Sequence, residues 1–239
     1  MSIFNSQNKI IEIIEHDSTL LPVINRFGIK LGFGDVNIHQ ACLKNKINED
    51  FFLAIINVFH NNHYFPEHKF IHFSISDIIS YLIKTHHYYN SFTLPEIERL
   101  FDILVKNDNS HKEIIVLLGK IFSNFKEEFK KHIDYEENII FPKIIEATEK
   151  YQINPNLKLK LPDFNFVNIH TQLDDKIFDI KNILFKYLPP IEDVNNCNAF
   201  AHAILRFEKD LKDHSRIEDR ILYPRVKQFY PFSNPGHVE

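Results

Sequence analysis

An all-α protein is predicted: an up-down bundle of four long helices behind a small helical N-terminal domain. Three observations point there. Glycine is scarce, at 5 of 239 residues, too few for the many turns of an all-β fold. From about residue 76 onward, apolar residues recur at threes and fours over stretches of up to about 28 residues, which makes helices about 42 Å long. Prolines and short polar segments separate these stretches, as in a bundle of antiparallel neighbours.

Residues 1–70 read as short helices and a linker, and residues 71–239 as the bundle. "STLLPVINRFG" offers a Ser18 cap, Pro22 near the helix start and a stop at Gly28. "GIKLGFGD" is a glycine-punctuated turn. Two further helices are expected, capped by Asp35 and Asn48, before a loop around Pro66. The first bundle helix is predicted from near Ser76 to about Lys106, with a kink or restart at Pro95. The second runs from about His111 to Phe141 and stops or kinks at Pro142; "YQINPNLKLKLPDFN" then connects to the third. The third spans about Asp163 to Leu188 and is ended by Pro189 and Pro190. The fourth spans about Asn195 to Tyr223, with Pro224 at its end.

Composition excludes several classes of function. A net charge of −4 carries no nucleic-acid footprint. Two cysteines, Cys42 and Cys197, exclude a disulfide scaffold and fit a reducing compartment. Acidic residues interrupt the apolar N-terminus, and no run of about 18 apolar residues occurs, so neither a signal peptide nor a membrane span is expected. A cytoplasmic protein follows, with no membrane partner.

The 14 histidines hold the chemistry. "HIDYEENIIFPKI" begins at His132 and "HSRIEDRILYPRV" at His214. Each places a Glu four residues after its His, on one helix face. Ile115, Leu118, Phe122, Phe125 and Phe129 form a core stripe that His132, Glu136 and Ile139 continue. Phe200, Ala203, Phe207 and Leu211 form another, continued by His214, Glu218 and Ile221. His170 shares a stripe with Leu173 and Ile177, and His87 with Ile79 and Ile83, while His86 also fits a core position.

Two inward carboxylates without a counter-charge would cost several kcal/mol or more, and a pair of divalent cations removes that cost. The spacing supports a duplicated unit. His87 to His132 is 45 residues and His170 to His214 is 44; His87 to His170 is 83, and both His132 to His214 and Glu136 to Glu218 are 82. Imidazole with carboxylate suits iron, zinc or manganese. Two bridging Glu with two His on each metal leave room for an oxo or hydroxo bridge and an exchangeable position. A single His-x-x-x-Glu is usually a surface pair, so the duplication carries the argument. His111 and His202 read as solvent-facing and structural respectively. Glu137, Asp219 and Asp134 are expected to face solvent, unless one supports a ligand His.

The segment from about Asp77 to Lys227 resembles the hemerythrin-like (HHE cation-binding) bundle. Within that group it is most similar to the iron-sulfur cluster repair di-iron proteins, the Repair of Iron Centers family. "THHYYNSFTLPEIERL" resembles the family's first His followed by Leu-Pro; counting back from Leu94-Pro95 selects His87. The two His-x-x-x-Glu segments and His170 in "NIHTQLDD" match the remaining positions. The resemblance implies two iron ions held by His87, His132, Glu136, His170, His214 and Glu218. It implies repair of iron-sulfur centres damaged by nitrosative or oxidative stress, with nitric oxide, oxygen or peroxide as small ligand and iron-sulfur proteins as clients. The alternatives are a hemerythrin-like sensor or carrier of oxygen or nitric oxide, and a bundle with zinc or no metal. Whether the protein is an enzyme or a homodimer stays open. The N-terminal part, about Leu20 to Asn57, resembles the family's small helical domain. It departs in one respect: adjacent cysteines are common after the segment matching "FGIKLGFGD", and this chain has Leu31, Gly32, Phe33, Gly34 and Asp35.

Overall fold

A computed structural model describes residues 3–107, 112–154 and 166–229. His111 and most of the connection between the second and third bundle helices lie outside the described residues. The described chain is all-α, its only extended pairing being an isolated bridge between Lys9 and Asn37. Among the described residues no helix is long and apolar enough to cross a membrane.

The N-terminal helices are α1 (Ile10–His16), α2 (Leu20–Arg26), α3 (Ile38–Asn45) and α4 (Glu49–His60), with a single turn, α5 (Glu67–Phe70), inside the expected loop. Asn37, two residues beyond the expected Asp35, caps α3: its side chain accepts from Gln40 N–H, and the Gln40 side chain returns a bond. Asp35 instead pairs with Lys9 at 2.9 Å. Asn48 caps α4 as expected, accepting from Phe51 N–H. Thr19 rather than Ser18 precedes α2, and its N–H donates to Asp17 at 3.0 Å. Gly28, Gly32 and Gly34 all have positive φ, so the "GIKLGFGD" turn needs glycine three times.

The first bundle helix comprises α6 (Ile75–Tyr88) and α7 (Leu94–Asn107); the second, α8 (Lys112–Tyr135) and α9 (Phe141–Ile153); the third, α10 (Phe166–Asn182); the fourth, α11 (Val194–Ile217) and α12 (Tyr223–Phe229). Contacts of α7 with α8, α8 with α10, α10 with α11 and α11 with α7 close a four-membered ring. In the first hairpin α7 lies on α8 and α6 on α9, so its two helices run antiparallel.

All four helices carry one π-turn, at Tyr89–Thr93, Glu136–Ile140, Ile183–Tyr187 and Glu218–Leu222. Each closes with an N–H that reaches five residues back: Leu94 to Tyr89, Phe141 to Glu136, Leu188 to Ile183 and Tyr223 to Glu218. Each such residue is followed by a proline: Pro95, Pro142, Pro189 or Pro224. A proline ring inside a regular helix clashes with the carbonyl four residues back. The widened turn moves that carbonyl aside, so the helix continues. Pro142, expected to stop or kink its helix, does not stop it, and the expectation that the fourth helix ends at Pro224 is corrected: the second extends to Ile153 and the fourth to Phe229. Only Pro189 with Pro190 ends one.

The π-turn also slips the register by one residue. After Glu136 the buried position is Ile140, at 0% exposure, not the expected Ile139, at 39%.

Two apolar cores result. One joins the N-terminal helices to Ile75–Leu82, Ile140–Ala147 and Ile217–Val226 of the bundle. The other fills the distal bundle, from Tyr89 through Phe125 and Phe129 to Phe207 and Leu211. The fourth helix is stitched to the N-terminal segment by polar bonds. Buried Arg26 of α2 makes a two-pronged ion pair with Asp210, its Nη1 2.9 Å from Oδ1, and lies 4.7 Å from the centre of the Tyr88 ring. Arg216 donates to the Asn62 carbonyl and Arg225 to the Phe70 carbonyl. Truncating Arg26 would strand the Asp210 carboxylate. Arg26→Ala is expected to destabilise the fold by about 3 kcal/mol, read as a lower urea midpoint at unchanged slope.

Candidate metal centre

Between the two apolar cores lies a layer of buried polar side chains: His86, His132, Glu136, His170, His214 and Glu218. Both carboxylates are at 0% exposure. Each His-x-x-x-Glu occupies the last turn before a π-turn, and each Glu is that π-turn's first residue.

Five of the six ligands expected from the sequence meet here. The sixth, His87, does not: it is exposed and lines a cleft of about 600 Å³ with Arg26, Tyr88 and Glu137. His86 takes its place, at 1% exposure. The reason is angular. Ile79, Ile83 and His87 form a row of fours, which drifts about 40° per step, so His87 is turned about 80° from Ile79. His86, seven residues on from Ile79, returns to within about 20° of it. Ile79 is buried and Ile83 exposed, as this rotation requires.

The layer divides into two groups whose candidate ligand atoms lie within 4.8 Å of one another: His86, His214 and Glu218; and His132, Glu136 and His170. Each group takes one imidazole from each helical hairpin. The Nε2 atoms of His86 and His214 are 3.0 Å apart, and those of His132 and His170 are 3.2 Å apart. Both carboxylates span the groups. Glu136 Oε2 lies 3.4 Å from His132 Nε2 and 3.5 Å from His86 Nε2. Glu218 Oε1 lies 3.1 Å from His214 Nε2, and its Oε2 3.3 Å from His170 Nε2.

Two acidic residues orient the imidazoles. His86 Nδ1 meets Glu137 Oε1 at 3.1 Å, and His170 Nδ1 meets Asp219 Oδ1 at 3.1 Å. Each acid fixes the proton on Nδ1 and leaves the Nε2 lone pair aimed into the layer. Of the three acids weighed as solvent-facing, Glu137 and Asp219 therefore serve the site. Their signal was in the sequence: in both copies of the repeat the Glu is followed at once by a second acid, "EE" and "ED".

Electrostatics fits a cation pair. Burial, followed by the neighbouring Glu218, raises the Glu136 carboxyl well above its usual range. For Glu218 burial acts the same way, but His214, His170 and His86 outweigh it and pull the carboxyl down to about 2. Burial also lowers His86, and takes His132 down to about 3, so both are neutral ligands at neutral pH.

At His86 burial prevails even though the Glu137 and Glu218 carboxylates act in the opposite direction. Glu136 Oε2 and both oxygens of Glu218 are buried without a hydrogen-bond partner. Carboxylate oxygens buried without a hydrogen bond among imidazole nitrogens are a poor arrangement for a metal-free core and a fitting one for two cations. His86, His132, His170 and His214 would each supply one nitrogen, and Glu136 and Glu218 would reach both positions. The absence of thiolate from the donor set suits iron, zinc or manganese.

Fold and site together define a helical-bundle protein with a candidate dinuclear histidine–carboxylate centre. No family model matches the chain. It is similar to the iron-sulfur cluster repair protein ScdA of Staphylococcus haemolyticus, 17% identical over 219 residues that cover 91% of this chain and 97% of that protein. It is also similar to the iron-sulfur cluster repair protein YtfE of Salmonella schwarzengrund, 22% identical over 152 residues, 64% of this chain and 66% of that one. The resemblance to the iron-sulfur cluster repair proteins is thus borne out, at low identity.

The two adjacent histidines give a direct check on the assignment. His86→Ala is expected to lose at least one bound metal ion per chain, and His87→Ala to keep the wild-type number, as counted by elemental analysis of the purified proteins.

Proposed function

We propose that this chain is a non-haem di-iron protein of the cytoplasm that takes part in repairing iron-sulfur centres damaged by nitrosative or oxidative stress. One observation carries the reading: two fully buried carboxylates each reach imidazoles of both groups, an arrangement that two cations stabilise. The names of the relatives supply the repair context. Iron bound here would supply one-electron chemistry and coordination positions for a small ligand such as nitric oxide, oxygen or peroxide.

The chain's own residues hold, orient and screen that centre. Glu137 and Asp219 fix the imidazole tautomers. The Phe141 ring stacks on His86 and the Tyr89 ring meets His214 edge-on, keeping water from that end of the layer. His132 lines a cleft of about 380 Å³ with Lys131, Tyr135 and Gln172, which makes it the ligand nearest solvent on that face. Thiol chemistry has no support in the N-terminal domain. Its one cysteine, Cys42, is buried, and burial pushes its thiol up to about 12.

Iron titration under anaerobic conditions is expected to saturate at about two ions per chain. Glu136→Ala and Glu218→Ala should each lose at least one of them; a variant that retained both would remove the bridging assignment. Adding the iron-loaded protein to an iron-sulfur enzyme inactivated by nitric oxide should restore its activity. No recovery, together with reversible oxygen binding, would instead support the sensor or carrier.

Metal loading should also depend on pH. Burial raises the Glu136 carboxyl, which favours its protonated form, and the group must be ionised to act as a ligand. Protons therefore compete with the metal, and affinity rises with pH. Calorimetry in buffers of different ionisation enthalpy is expected to show net proton release on metal binding.

A further inference from the structure

The two halves of the site match in their candidate ligands, and one difference between them is a hydroxyl. Each Glu is followed five residues later by an aromatic residue that precedes a proline: Phe141 after Glu136, Tyr223 after Glu218. Both rings are buried in the same apolar core. Phe141 has only its ring to offer, and stacks on His86 with centroids 5.8 Å apart. Tyr223 reaches across the layer, and its hydroxyl donates to Glu136 Oε1 at 2.8 Å. Glu136 is therefore left with one oxygen, Oε2, without a partner, whereas Glu218 is left with two.

A buried phenol hydroxyl costs free energy unless it is hydrogen-bonded, and Phe141 shows that the repeat accommodates a plain ring at this position. We propose that Tyr223 is a positioning residue that makes the two carboxylates unequal. By donating to Oε1 it takes up a lone pair of that oxygen and weakens it as a ligand, so Glu136 offers the metals chiefly Oε2, at the point between His132 and His86, while Glu218 spans both groups with its two oxygens. The inference rests on the dinuclear reading above. Its consequence is that the protein supplies one fewer oxygen atom than a symmetric pair of bridges would. That leaves a coordination position open to an external ligand, with the Glu136 side setting its place.

Tyr223→Phe tests this, with wild type measured alongside. Both proteins are loaded with Zn²⁺ and metal-dependent infrared difference spectra are recorded; both are then loaded with Fe³⁺ and titrated with azide. The variant is expected to bind the same number of ions as wild type. The wild-type spectrum should show two classes of carboxylate stretch, which converge in the variant as Glu136 becomes free to use both oxygens. Azide affinity should fall by about tenfold or more, because the freed oxygen competes for the open position. Two carboxylate classes that persist in Tyr223→Phe, or equal azide affinity in the two proteins, would overturn the role of Tyr223 while leaving the dinuclear centre in place. A wild-type chain that binds fewer than two ions would overturn both readings. Should the variant fold poorly, Tyr223→Leu, which also lacks the hydroxyl, is expected to give the same infrared convergence; wild-type splitting in that protein would count against the proposal.

Discussion

Two carboxylates with no access to water organise this protein. Glu136 and Glu218 sit where the helices are packed on every side, and a lone ionised group there would be prohibitive. The groups around them suit cations that would offset that cost. Four imidazoles face them, two acids hold His86 and His170 with their lone pairs inward, and the apolar cores stop short on either side. The pair is unequal: burial raises the Glu136 carboxyl, while the facing imidazoles lower that of Glu218. A layer of this kind is costly as a structural core and well suited to holding cations, which is why the site, rather than the bundle, defines what the chain can do.

The π-turns and prolines are the backbone counterpart of that layer. In the second and fourth helices the widened turn begins at the buried Glu and ends two residues before the proline. The proline requires the wide turn, and the wide turn gives the helix a new register beyond the site. Apolar side chains above and below the polar layer can then both face inward, although one α-helical stripe could not serve both. Ile140 is buried for this reason, with Ile139 on the outside.

The N-terminal helices are bonded to the helices of the candidate site and share a core with them. Arg26 pairs with Asp210, and Asp210 also accepts from the Tyr89 hydroxyl at 2.8 Å. The Tyr89 ring in turn contacts His214. A chain of contacts thus runs from α2 to a candidate ligand. The same helices keep their single cysteine, Cys42, buried.

Much of this was legible in the sequence. Amphipathic periodicity and scarce glycine predicted an all-α bundle, because a stripe at threes and fours has only one way to be buried. The duplicated His-x-x-x-Glu segments placed His132, Glu136, His214 and Glu218 inward, and repeat spacing added His170; all five lie in the layer. The choice between His86 and His87 was not legible by counting. Spacing between helices depends on turns and connections, and a one-residue difference there leaves the count nearly unchanged while turning a side chain by about 100°. Only tertiary structure decided which imidazole enters, because only packing fixes the azimuth of the first helix. It likewise decided that each candidate metal group draws one His from each hairpin, that Glu137 and Asp219 meet the imidazoles, and that Tyr223 reaches the opposite carboxylate. Those are relations across helices, and periodicity along one helix does not contain them.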